Sequence, residues 1–161
     1  MTLDAKDHTI LRLLQENARI SNAEIARRIE LAPSAVFQRI RKLEEAGVIQ
    51  GYEARINPTP LGYGLVAFVR VQTGEGASAP EITGALGELP VVQEIHRVVG
   101  EDCFFVKVRV ADTGALANLL DHEIQPIPGV ATTKTTIVLT TSKETRAVPL
   151  DGNPPSAGAS D

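Results

Sequence analysis

Ser34, Gln38, Arg39, Arg41 and Lys42 gather a hydroxyl, an amide and three cations within one short stretch. A glutamine amide donates and accepts at once, which matches the major-groove edge of adenine. Arginine and lysine reach guanine or phosphate, and a hydroxyl serves either. This is the chemistry of reading double-stranded DNA, and it requires a helix that turns these five residues outward. The other reactive candidate is a thiol, Cys103, with His96 and His122 as possible bases. Cys103 heads a run in which Phe104, Val106, Val108 and Val110 alternate with Cys103, Phe105, Lys107 and Arg109. That is the period of a half-buried strand, where a thiol is packed and inert. The lone cysteine offers no disulfide and no metal-ligand spacing, and there is no HExxH, CxxC or phosphate-binding glycine loop. Catalytic residues, a metal and a cofactor are not expected. His8 reads as an ordinary surface or half-buried histidine.

The element that must position the candidate readers is Ile20–Ile49, read as two short helices joined by a tight turn. Ser21 followed by Glu24 has the spacing of a capping box. Ile25, Ala26 and Ile29 then share one helical face. Glu30-Leu31-Ala32 forms the turn, and Pro33 suits a first helical position because its missing N–H loses no partner there. In the second helix Val36, Ile40 and Leu43 face inward, and the candidate DNA contacts lie on the opposite face and its flank. Gly47 is placed to cap its end. A preceding helix over Ala5–Glu16, capped by Asp4, packs through Ile10, Leu13 and Leu14. Val48–Ile56 reads as an extended arm, and Asn57-Pro58-Thr59-Pro60 ends the domain.

Leu3-Asp4, Asp7, Ile10, Leu11 and Leu14, then NARISNAEIARRI and PSAV..RI.KLEEAGVI.GYEARINP, stand in a register that resembles the Lrp/AsnC (feast/famine) transcriptional regulators. Further on, LGYG, VVQEIHRVVGED, IPGV and T.TTIVL follow in the expected order, so the resemblance covers about residues 3–143. It implies a winged helix-turn-helix DNA-binding domain and a second domain that dimerises, with dimers assembling into tetramers, octamers or larger rings. It also implies an amino-acid effector bound between dimers, near a G-x-x-D turn. Here that turn is Gly100-Glu101-Asp102-Cys103, with Cys103 where the family's aspartate would fall and Asp102 one residue early. Gly100, Glu101 and Asp102, joined by Thr133 and Thr135, are the effector candidates, a carboxylate being needed for the ligand's ammonium. The family also places serine where Ala32 stands, and commonly glycine where Glu30 stands. Losing the serine cap should cost about 1 kcal/mol of helix stability.

Beyond the arm, strands are expected over Leu65–Gln72, Val91–Val99, Cys103–Val110 and Val130–Thr140, with helices over Pro80–Leu89 and Thr113–Glu123. The order βαββαβ is that of a ferredoxin-like sheet with helices on one face. The fold class is therefore α+β. Residues 1–60 form the helix-turn-helix domain with its linker, residues 61–143 the ferredoxin-like sandwich for ligand binding and oligomerisation, and residues 144–161 a disordered tail. The net charge of −4 divides unevenly. Residues 1–56 hold nine Lys/Arg against eight Asp/Glu, whereas residues 57–161 hold seven against twelve. A reader with a net charge of only +1 should need two or more copies to bind tightly. No apolar run approaches a membrane span or a signal segment, and the single cysteine suits a cytoplasmic setting. The rival to an effector-gated regulator is an architectural or assembly DNA-binding protein without an effector.

Overall fold

A computed structural model describes residues 2–100 and 104–150. The chain divides into two compact units, one of residues up to Arg55 together with the described residues from Glu144 onward, the other Ile56–Lys143.

The first unit contains three helices: α1 (Ala5–Glu16), α2 (Asn22–Ile29) and α3 (Pro33–Glu45). Their apolar stripes meet in a core of Ile10, Leu11, Leu13, Ile25, Ala26, Ile29, Val36, Ile40 and Leu43, with Leu14 partly buried at its edge. Helix α1 starts with a reciprocal capping box: Asp4 Oδ1 accepts from the Asp7 N–H at 2.8 Å, and Asp7 Oδ2 accepts from the Asp4 N–H at 3.1 Å. The end of α3 is closed by a Schellman arrangement. The Gly47 N–H reaches the Glu44 carbonyl and the Val48 N–H reaches the Leu43 carbonyl, each at 2.9 Å. Gly47 sits at φ +68°, where a side chain would be strained.

The tail departs from expectation at its start. Disorder is expected from residue 144, yet Val148 donates its N–H to Gln15 Oε1 at 2.7 Å and accepts from Gln15 Nε2 at 3.1 Å. Leu150 packs against the helical core, and Arg146 meets Glu53 at 3.2 Å. Residues 151–161 lie outside the described residues.

The second unit is a four-stranded antiparallel sheet of β1 (Leu65–Thr73), β2 (Val92–Arg97), β3 (Phe104–Val110) and β4 (Val130–Ile137), in the order β2-β3-β1-β4. This is the ferredoxin-like arrangement, its helices being α4 (Ala79–Gly87) and α5 (Thr113–Asn118). Ala67, Val69, Val71, Phe104, Val106, Val108 and Val110 face Ile82, Leu86, Leu116, Leu119 and Ile124 in the core. Helix α5 was expected to run unbroken, but from Leu119 to Ile124 it widens into a π turn. That register lets Leu119 and Ile124, five residues apart, both enter the core. At the turn into β4, Gly129 has φ +91°, and a Cβ there would lie 2.9 Å from Ala77 Cβ. Both conformation and space demand glycine.

Candidate nucleic-acid interface

Helix α3 separates its faces cleanly. Val36, Ile40 and Leu43 are buried, whereas Ser34, Phe37, Gln38, Arg41 and Lys42 are exposed. At roughly 100° per residue, Ser34 and Arg41 superpose along the helix, with Phe37 on one flank and Gln38 and Lys42 on the other. Arg41 pairs with Glu45 across one turn at 2.8 Å. Both ends of that pair are well exposed, so exchanging the carboxylate for another anion costs little.

Arg39 is the exception among the five expected readers. Its Nη1 donates to Asp7 Oδ1 at 2.7 Å and to Asp4 Oδ2 at 2.8 Å, tying α3 to the N-terminus of α1. The Asp7 side chain is only 7% exposed, against 31% for Arg39. A buried carboxylate needs its counter-charge, so Arg39 supports the helix rather than offering a free cation on its outward face. The Asp7 backbone N–H, and then the Arg39 guanidinium, hold the Asp4 carboxyl below its usual range.

The turn before α3 carries two local irregularities. Glu30 caps α2 in the left-handed region at φ 53°, a conformation that side chains other than glycine's adopt at a cost. Ala32 occupies the N-cap of α3 and makes no side-chain capping bond. At the start of α2, Ser21 Oγ accepts from the Glu24 N–H at 3.1 Å. The expected reciprocal half of that box is replaced, because Glu24 pairs with Arg27 and Arg28, each at 2.8 Å. Those arginines, Arg27 foremost, bring the Glu24 carboxyl down to about 2. Beyond α3, Tyr52 donates to the Glu44 carboxylate at 2.9 Å. Partial burial and that acceptor push its phenol up to about 12, so it anchors the arm to α3 as a neutral group.

In the second unit the effector candidates are spread across the sheet. Gly100, exposed and at φ +135°, lies in the connection between β2 and β3, while Glu101, Asp102 and Cys103 fall outside the described residues. Thr133 stands opposite Val71, Val71 opposite Phe104, and Phe104 opposite Arg97. Thr133 is therefore level with that connection but about 10 Å from β3, two strand spacings away. Thr135, opposite Val69, lies one pleat further along on the same face. The other face of the sheet carries a Phe68–Phe105 stack with centroids 5.2 Å apart. Beside it Lys107, only 8% exposed, meets Glu94 at 3.2 Å, and Glu94 also meets His96 at 3.1 Å.

Two residues of this interface escape a reading by charge. Phe37 breaks the apolar stripe of α3, and only its position outside that stripe marks it. Asp7 stands in the sequence only among the residues that carry the family resemblance; neither its half of the box with Asp4 nor its pairing with a residue two helices away was legible there. Among the described residues no three His, Cys, Asp or Glu side chains gather to hold a metal, and no helix is long and apolar enough to cross a membrane.

A helix pair presenting a polar, cationic face, followed by a ferredoxin-like unit, defines a two-domain DNA-binding transcriptional regulator. Residues 3–50 match a family of winged helix-turn-helix DNA-binding domains, and residues 66–148 match the Lrp/AsnC ligand binding domain. The chain is 38% identical over 144 residues to the leucine-responsive regulatory protein of Salmonella typhimurium, covering 88% of each. A transcriptional regulator of Neisseria meningitidis, solved as its L-Met complex, superposes with a TM-score of 0.88 at 30% identity, over 93% of this chain and 98% of that one. A feast or famine regulatory protein of M. tuberculosis, complexed with L-methionine, gives 0.85 at 36% identity, over 91% and 99%. The protein belongs to the Lrp/AsnC family of transcriptional regulators. That family regulates transcription and is not a family of enzymes.

Proposed function

We propose that this regulator acts in the cytoplasm as a sequence-specific reader of double-stranded DNA, gated by an amino acid or related small effector bound between dimers. Residues 1–60 are the reader with its linker, and residues 61–143 sense and assemble. The observation that carries the reading is the outward stripe of α3, with Ser34, Gln38, Arg41 and Lys42 exposed opposite a fully apolar buried stripe. Gln38 reads a base, with adenine the best match, while Arg41 and Lys42 take guanine or phosphate. Arg39 holds α3 at the angle from which the others reach.

The net charge of +1 over residues 1–56 supports cooperation between copies. A two-fold dimer sets two recognition helices on successive major-groove turns and so prefers a roughly palindromic site. The sheet face bearing the Phe68–Phe105 stack and the nearly buried Lys107 suits burial against a second copy. Dimers then join into a tetramer, octamer or larger ring. Methionine in the Neisseria and M. tuberculosis relatives supports an amino-acid ligand. Glu101 or Asp102 meets its ammonium beside Gly100, and Thr133 and Thr135 supply hydroxyls. The breadth of sheet between the Gly100 connection and Thr133 fits a site that a second dimer completes. Effector binding shifts the assembly and hence the operators that fit, so DNA and effector alter each other's affinity reciprocally.

One observation favours the architectural alternative: Cys103 stands where the family's aspartate falls. Footprinting on the protein's own promoter and on genome-selected sites, with competitor DNA and each amino acid in turn, separates the readings. Footprints at helical-turn spacing that shift with one amino acid are the expected result. Specific footprints indifferent to every amino acid would remove the effector, and absence of any preferred site would remove the reader.

A further inference from the structure

We propose that Phe37 is a base-reading residue, whose ring packs on the C5-methyl of a thymine next to the base that Gln38 addresses. The inference rests on α3 entering the major groove. Phe37 is 52% exposed, although Val36 before it is fully buried. It lies one turn beyond Ser34 and one turn before Arg41, on the face those residues share. The helical core closes without it: Phe37 is neither in that cluster nor among the partly buried residues packed against it. The packing of the unit therefore gives no reason for a large apolar side chain at this position.

DNA offers such a reason. Base edges in the major groove present donors, acceptors and one apolar group, the thymine methyl. Serine, glutamine, arginine and lysine satisfy the first two kinds, and a phenyl ring can use only the third. With Gln38 beside it, the pair selects a step rich in A·T, one residue through hydrogen bonds and the other through the methyl. Burying one methyl group against a ring is worth about a fourfold change in affinity.

The test isolates that methyl. Operators are selected from random duplexes by the full-length protein, and each thymine is then replaced singly by deoxyuridine, which removes the methyl and leaves every hydrogen-bonding group. One replacement per half-site should weaken wild-type binding about fourfold, and Phe37→Ala should show no penalty at that position while keeping the wild-type salt dependence. Phe37→Leu, which keeps an apolar side chain, should retain part of the penalty. Wild-type indifference to every deoxyuridine, or an equal penalty in Phe37→Ala, would overturn the proposal. Failure of the wild type to select any operator would instead refute the groove-reading role of α3, and this inference with it.

Discussion

Replacing Arg39 by methionine tests whether that residue supports the recognition helix or grips DNA. Methionine keeps much of the stem and removes the guanidinium, leaving Asp7 with a buried carboxylate and only the Asp4 N–H as donor. Breaking a fully buried pair costs about 3–5 kcal/mol. Here Arg39 is about one-third exposed, so water partly compensates and the cost falls to about 2 kcal/mol. Hydrogen exchange at the α1–α3 amides reads this unit separately, and those amides should exchange about thirtyfold faster in the variant. Asp7→Asn removes the orphaned charge, so the double variant Asp7→Asn/Arg39→Met should lose less than the two single losses combined. On DNA, the slope of log affinity against log salt should stay unchanged, because each lost phosphate contact would lower it by about 0.9. Unaltered protection combined with a slope shallower by about one per copy would refute the supporting role and return Arg39 to the DNA surface.

Three further outcomes follow from local geometry. Ala32→Ser supplies the absent N-cap oxygen and should stabilise α3 by about 1 kcal/mol, while Glu30→Gly relieves a left-handed side chain for about 0.5–1 kcal/mol. Exchange protection of α2 and α3 reads both, and no gain from either would mean that the turn is held by other contacts. The Glu24 carboxyl is depressed from 4.5 to about 2, so its stabilisation is present above about 4.5 and is lost as pH falls toward about 2. An acid titration of the helical unit should show that loss, and Glu24→Gln should flatten it. Deleting residues 144–161 removes the Val148–Gln15 pairing and the packing of Leu150, so exchange near Gln15 in α1 should quicken.

Helix α1 and the inward stripe of α3 were legible because local signals and packing agree there. Asp4 both begins and caps α1, and Val36, Ile40 and Leu43 keep one period throughout. The order of strands and helices was legible for the same reason, since alternation along Phe104–Val110 predicts which side chains enter the core. What stayed hidden depends on contacts distant in sequence. Arg39 lies on the flank of α3, where its long side chain can turn to water or to Asp4 and Asp7, and helical period does not decide between them. Gln15 grips the backbone of Val148, and a backbone group carries no signature of its residue type. A polar tail rich in glycine and proline reads as disordered even where a neighbouring side chain holds it. The π turn in α5 likewise becomes legible only once Leu119 and Ile124 are known to share a core.

The placement of charge in the helical unit links the reader to assembly. Glu24 engages Arg27 and Arg28, while Asp4 and Asp7 engage Arg39, so three of the five cations of the helix pair are already engaged internally. The outward face of α3 presents Arg41 and Lys42. Two phosphate-level contacts give a salt slope of only about −2 for one copy, and so a weak grip at ordinary ionic strength. Under the assembly proposed above, tight binding comes from several copies held on one duplex, where the second contact is effectively intramolecular. In such a protein, a ligand that alters how dimers join changes DNA affinity without touching α3. The proposed effector site needs no direct path to the recognition helix, because the number and spacing of copies already set the strength of binding.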